Sequence, residues 1–381
     1  MKKWIHTVRS MILIMMSLVI VICVSAAAVA AEAQDNQESE AEISDTEETT
    51  ITPGEEWVSF FMICNEGMSS RGGNAGNTMM VISMNEKTGS IRLMMITWDT
   101  FVDYEGYDLP QKIDMAYRNN GPEETMKVFN ANFDLGIDRY MSLNYLNLAT
   151  LIDDFGGVTV EVSRAERNAL NAMVSSKKEN LQQMADANLL DQLALELLAK
   201  EYYLTEFGPE THLNGLQAVA FGWLQYDSVY NCCLRDAEIV ASLFRSCAAT
   251  LKEEVVFYTN DFEAPKVNDS RRLINLDNVS EEDMEFLRQA ISPIFETTYH
   301  NLEEDAIDSI TLTLARISYL ASRQGADILD QMMTNVFPLE AKDPYDTVAG
   351  AKGHLVDKEK NSKEMKKFLY SDRGVVQHEK E

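Results

Sequence analysis

The chain has 381 residues, 45% of them hydrophobic, with 61 Asp and Glu against 33 Lys and Arg and a formal net charge of −28. That acidity excludes a nucleic-acid partner, because neutralising phosphates takes a basic face, and it repels anionic polymers unless a local basic site overrides the field. The apolar fraction suffices for one large domain or two small ones.

Lys2, Lys3, His6 and Arg9 precede residues 10–31, which carry no charge. About 20 apolar residues cross a bilayer as a helix, and basic residues before the span, with none again until Arg71, orient the N-terminus inward. Residues 1–31 therefore predict a cytoplasmic tip and a single-pass cell-membrane anchor, with the rest of the chain extracytoplasmic. Ala28-Val29-Ala30 and Ala31-Glu32-Ala33 also fit signal-peptidase sites, so secretion after cleavage stays open. Cys23 follows Ile22 rather than a small residue, which argues against lipoprotein attachment. Residues 32–56 are polar and acidic and read as a disordered stalk.

Order is expected from Trp57. Trp57–Cys64 is a continuous apolar run that reads as a buried strand, followed by a Gly-rich loop over 67–76. Thr78–Met84 and Ile91–Thr97 read as strands joined by a hairpin turn. Helical spacing follows at Lys112–Asn119 and Glu123–Phe133, then a strand at Arg139–Leu143, a helix at Leu146–Phe155, and a strand at Val158–Val162. Residues 164–203 lack Gly and Pro and are rich in Leu, Ala, Glu and Lys, which predicts a long helical insertion. Further helices fit Asn214–Gln225, Arg235–Lys252, Glu281–Ile294, Asp305–Ser322 and Lys360–Tyr370. His212 is expected in a solvent-facing loop. The pattern predicts an α/β fold with a mixed central β-sheet sandwiched by helices over residues 57–372, and a short tail, 373–381. Cys23, Cys64, Cys232, Cys233 and Cys247 show no zinc-type spacing, and the vicinal pair reads as small buried residues.

Several blocks carry a resemblance. Thr78-Met79-Met80-Val81-Ile82-Ser83, Met95-Ile96-Thr97-Trp98-Asp99-Thr100, Lys112-Ile113-Asp114-Met115-Ala116-Tyr117, Ile152-Asp153-Asp154-Phe155-Gly156-Gly157-Val158 and Leu213-Asn214-Gly215-Leu216-Gln217-Ala218 follow in that order. Together they resemble the LytR–CpsA–Psr family of envelope glycopolymer transferases, from about Trp57 to Tyr370. The resemblance implies a hydrophobic tunnel between sheet and helices holding a polyprenyl-pyrophosphate-linked glycopolymer. It implies transfer of the glycan phosphate to peptidoglycan, with aspartates holding Mg²⁺ and an arginine cluster clamping the pyrophosphate. Such transfer is mostly positioning and electrostatics, so those charges matter most.

The sequence departs from the family at those positions. Asn65 stands where the family has Asp. Ala75 and Asn77 replace an Arg and a metal Asp. Trp98 replaces an Arg beside the retained Asp99, Trp223 and Gln225 replace paired arginines, and Cys232 replaces another. Asp99, Lys112 and Arg235 are retained. Hydrogen bonds to charged groups contribute about 1.5–3 kcal/mol each, and about 1.4 kcal/mol is tenfold in an equilibrium, so losing several arginines removes many powers of ten. The expectation is therefore a pseudoenzyme that binds a polyprenyl (pyro)phosphate lipid or its linked glycopolymer. No metal is expected at the former ligand positions Asn65 and Asn77, and Mg²⁺ enters only if the protein is active. Two alternatives stay open. One is an active transferase whose clamp is rebuilt by Arg71, Asp227 or Arg235. The other is an envelope scaffold acting through the 164–203 insertion. Trp98 and Trp223 either stack on a ligand or fill vacated volume, and Arg235 is expected to pair with Asp236 or Asp227.

Overall fold

The computed structural model describes residues 56–65, 76–187, 203–224, 228–262, 264–324, 332–338, 346–348 and 350–370. The expected anchor and stalk, Arg71, Ala75, Gln225, Asp227, the second part of the insertion (188–202) and the tail lie outside the described residues. Of Asn77 only the backbone is described.

A six-stranded mixed sheet forms the centre. It uses β1 (Trp57–Asn65), β2 (Gly76–Asn85), β3 (Ile91–Ile96), β6 (Tyr140–Asn144), β11 (Tyr299–His300) and β12 (Met332–Phe337), in the order β11-β6-β1-β2-β3-β12. β1, β2 and β3 pair antiparallel, while β6 joins β1 and β12 joins β3 in parallel. Side chains alternate across a strand, and here both faces are covered. Phe60, Met62, Met80, Ile82, Leu93 and Met95 pack into one core, and Phe61, Ile63, Met79, Val81, Met94 and Ile96 into the other. That is why these strands read as unbroken apolar runs.

Helices α2 (Tyr145–Asp154), α4 (Gly215–Gly222), α5 (Val229–Glu254) and α8 (Glu304–Gln324) contribute to the first core. Helices α1 (Asp114–Phe133) and α9 (Lys358–Tyr370) close the second, α9 through Met365, Phe368 and Leu369. The sandwich expected from sequence is the one observed. Helix α3 (Arg164–Asp186) forms the first part of the expected insertion, started by a capping box between Ser163 and Glu166.

Several boundaries differ. The two helices expected at 112–119 and 123–133 are one helix, kinked where Asn120 and Gly121 leave helical geometry just before Pro122. Lys112 lies before that helix, on the two-residue strand β5 (Gln111–Lys112), paired with Phe101 of β4 (Thr100–Val102). His212 sits on β8 (Gly208–Leu213), which pairs with β7 (Val158–Val162), although its side chain is exposed as expected. Strands β9 (Val255–Tyr258), β10 (Arg272–Asn275), β13 (Asp346–Val348) and β14 (Ala351–Leu355), and the short helix α7 (Pro293–Glu296) after α6 (Glu281–Ala290), complete the chain.

Candidate functional site

Several of the described family positions lie where β1 and β3 end and β2 begins, at the strand ends of the central sheet. A register shift between Cys64 and Asn65 ends β1. Asn65 is fully buried, and its amide nitrogen donates to Tyr117 Oη at 2.6 Å and to the Leu143 carbonyl at 3.3 Å. Tyr117 Oη also bonds Ser142 Oγ at 2.9 Å. Burial pushes the Tyr117 phenol up to about 12, against the bonds to Ser142 and Asn65. An amide thus stands where the resemblance implies an aspartate, and its described bonds link β1, α1 and β6.

Past β3 the backbone turns, with Thr100 N–H donating to Thr97 O at 3.1 Å and the two Thr hydroxyls 2.8 Å apart. The turn carries Trp98 and Asp99. Asp99 is 2% exposed, and its Oδ1 has no hydrogen-bond partner. Ile113 N–H donates to Thr100 O at 2.9 Å, which brings Lys112 and the start of α1 alongside. The Lys112 ammonium lies 4.7 Å from the Trp98 ring centroid, a cation–π arrangement. Asp114, which the sequence reading did not single out, is also buried, with an unpartnered Oδ1. Its carboxyl is raised by burial, opposed by Arg118, Lys112 and the Met115 N–H, with Asp99 adding to the rise. An acid at a helix start two residues after a candidate cation was the available signal.

Helix α5 brings the other half. Thr78 Oγ1 donates to Asp236 Oδ2 at 2.7 Å, and burial raises Asp236 from 3.8 to about 7, against that bond and the Arg235 charge. Of the two partners expected for Arg235, Asp236 bonds Thr78, and Asp227 lies outside the described residues. The buried Arg235 guanidinium sits 3.6 Å from Glu166 Oε1 of α3, donates to the Leu224 carbonyl, and lies 6.0 Å from the Phe221 ring. Cys232 Sγ donates to Gly222 O at 2.9 Å. Cys233 is raised by burial first, then by Asp236, Cys232 and Asp99. Cys64, Cys232, Cys233 and Cys247 are buried, as the sequence led one to expect of the vicinal pair.

Trp223 caps α4 and meets Tyr145 edge-on at 5.6 Å. It belongs to the first core and fills space. Beside it lies a cavity of about 10 Å³ lined by Met62, Cys64, Leu148, Ile239 and Val240, with Thr78 and Asp236 also in its wall. That volume is about one water.

Toward the Mg²⁺ that the resemblance implies, the described site offers the carboxylates of Asp99 and Asp114. Among the described residues no group of three His, Cys, Asp or Glu could hold a metal. The Asn65 amide nitrogen faces Tyr117, and the buried carboxylates Asp99 and Asp114 share their surroundings with Lys112. No step is derived through a metal.

This is a three-layer α/β/α sandwich with the site at the ends of its strands β1 and β3. The LytR_cpsA_psr family model matches residues 20–229, and the chain belongs to that family. TagU of Halalkalibacterium halodurans, a polyisoprenyl-teichoic acid–peptidoglycan teichoic acid transferase, is 35% identical over 108 residues, 28% of this chain and 36% of TagU. TagU of Bacillus subtilis is 26% identical over 102 residues, 26% and 33% of the two chains. The chain thus spans about a third of the length of these curated relatives. Among solved structures, B. subtilis TagV superposes with a TM-score of 0.53 at 15% identity, covering 83% of this chain and 98% of TagV. TagT bound to LIIa-WTA gives 0.51 at 12% identity, covering 87% and 96%. At those identities the likeness is one of fold.

Proposed function

We propose that this protein acts in cell-envelope assembly as a membrane-tethered, extracytoplasmic member of its family, engaging polyprenyl-linked glycopolymer with phosphotransfer lost or strongly reduced. The observation that carries this reading is the state of the former clamp. Asn65 is held in a neutral hydrogen-bonded chain, Trp223 is core, and the retained Arg235 is engaged by Glu166 and Leu224. Stabilising charge on a leaving phosphate takes preorganised cations aimed at it, and here Lys112 lies against Trp98.

Family membership and the TagU relatives support the envelope-glycan context, with peptidoglycan as the second partner. One observation favours retained activity: the buried Asp99 Oδ1 has no partner, the kind of oxygen a Mg²⁺–phosphate complex takes up. The two readings separate in a transfer assay on the full-length protein with a polyprenyl-pyrophosphate-linked glycan, run beside the triple variant Asn65→Asp, Asn77→Asp, Trp98→Arg. The proposal expects turnover at background for the natural sequence. Metal-dependent turnover comparable to an active family member refutes it.

A further inference from the structure

We infer a second binding site, a saccharide groove built by the eight-residue loop between β4 and β5, separate from the pyrophosphate position. A concavity of about 340 Å³ lies between this loop and the C-terminal part of α1, within the size range of small-molecule sites. Its wall carries Tyr104 and Tyr107, the carboxylates of Asp103, Glu105 and Asp108, and the apolar Leu109.

The loop is fixed before any ligand arrives. Asn132 of α1 takes the Asp103 N–H on its Oδ1 at 2.8 Å and donates from Nδ2 to the Asp103 carbonyl at 2.9 Å. Lys358 of α9 pairs with the Asp103 carboxylate, and Lys127 lies 3.8 Å from Glu105. Tyr107 N–H donates to Tyr104 O at 3.1 Å across a turn whose third residue, Gly106, has φ +88°, a backbone that favours glycine. The turn stacks Tyr107 on Tyr104, with centroids 5.3 Å apart and planes at 27°. Tyr104 is buried beneath, with its hydroxyl accepting from Asn119 at 3.2 Å. Tyr107 is 46% exposed and Leu109 51%.

The chemistry selects the ligand. An aromatic face held rigidly at the surface takes the flat C–H face of a pyranose ring. Carboxylates only accept hydrogen bonds, so they suit the many O–H and N–H donors of a sugar. An anionic polymer brings further acceptors and negative charge to a wall holding three carboxylates, and the two lysines leave that wall net negative. The groove therefore fits an uncharged oligosaccharide of hexose or N-acetylhexosamine type and disfavours a polyphosphodiester. A preorganised loop loses little freedom on binding. The choice of an N-acetylhexosamine probe rests on the envelope-glycan reading above; the chemistry of the groove does not.

The test is a titration of the full-length protein in detergent with tetra-N-acetylchitotetraose, read by calorimetry and ligand-observed NMR, with poly(glycerol phosphate) as the anionic comparator. Saturable binding of the oligosaccharide alone is expected, weakened roughly tenfold by Tyr107→Ala, weakened also by Asp108→Asn, and largely kept by Tyr107→Phe. Thermal melts of Asp108→Asn and Tyr107→Phe should match the natural sequence, since Asp108 is exposed and Phe keeps the stack on Tyr104. No saturation up to about 10 mM, equal binding by Tyr107→Ala, or preference for the comparator overturns the groove. Because the readout is binding rather than turnover, an absence of oligosaccharide binding alongside co-purified polyprenyl lipid overturns the groove and leaves the lipid reading standing.

Discussion

Asp236 offers the sharpest energetic prediction. It lies on α5 among apolar side chains, with Thr78 as its hydrogen-bond donor, and burial lifts it from 3.8 to about 7 despite Thr78 and Arg235. A carboxyl raised in the folded state holds its proton there after the unfolded chain has released it. Stability from this group is therefore fully present below the unfolded value and lost as pH rises toward the folded value. Between 3.8 and about 7, at about 1.4 kcal/mol per pH unit, the loss is on the order of 4 kcal/mol. The sequence pI near 4.5 favours association at low pH, so the usable window opens near pH 5.5, leaving about 2 kcal/mol to observe. Asp236→Asn keeps an acceptor for Thr78 and removes the titration. Urea unfolding of both proteins at pH 5.5 and pH 8 should show the variant gaining about 2 kcal/mol relative to the natural sequence at the higher pH. The difference between the two proteins isolates this group from the others that titrate. An equal stability difference at both pH values would refute the buried, proton-holding carboxyl.

Trp223→Ala should cost about 3–5 kcal/mol in chemical denaturation, because Trp223 is core and its loss extends an existing cavity; a cost under 1 kcal/mol would mean the indole does not fill that space. Gly215→Ala should destabilise by about 2–3 kcal/mol or more, because a Cβ there would run into the Ala149 backbone of α2; a neutral melt would contradict the close α2–α4 approach. Co-purified polyprenyl lipid, read by native mass spectrometry of the full-length protein, should increase in Trp223→Ala, since the added space adjoins the apolar cavity wall; unchanged lipid would place the tail elsewhere.

Much of this fold was legible where local pattern and tertiary environment agree. Strands β1 to β3 are buried on both faces, so their apolar runs announced them. Helix α9 showed its composition in Lys360–Tyr370. Strand β12, Met332–Phe337, was missed because it is short and carries Thr334 and Asn335 among its apolar residues. Lys112 was placed in a helix because the spacing of Ile113, Ala116 and Tyr117 begins right after it; the strand pairing with Phe101 is long-range information. At the site, the resemblance singled out Asn65, Asp99 and Lys112, and the structure puts them at the end of β1, after β3 and on β5. It missed what depends on burial: the unpartnered Asp114 oxygen, the raised Asp236 carboxyl, and the Glu166 partner that reaches Arg235 from another helix. Local charge suggested Asp236 or Asp227 as that partner; packing gives Asp236 to Thr78, and Asp227 lies outside the described residues.

The proposed loss of phosphotransfer can be measured without intermediaries. The most direct measurement is the single-turnover rate of the full-length protein on a polyprenyl-pyrophosphate-linked glycan with Mg²⁺ and peptidoglycan acceptor, beside an active TagU relative under the same conditions. The expected rate is at least about a thousandfold below the relative, corresponding to about 4 kcal/mol of lost transition-state stabilisation. A rate within about tenfold of the relative, abolished by chelation, would contradict it.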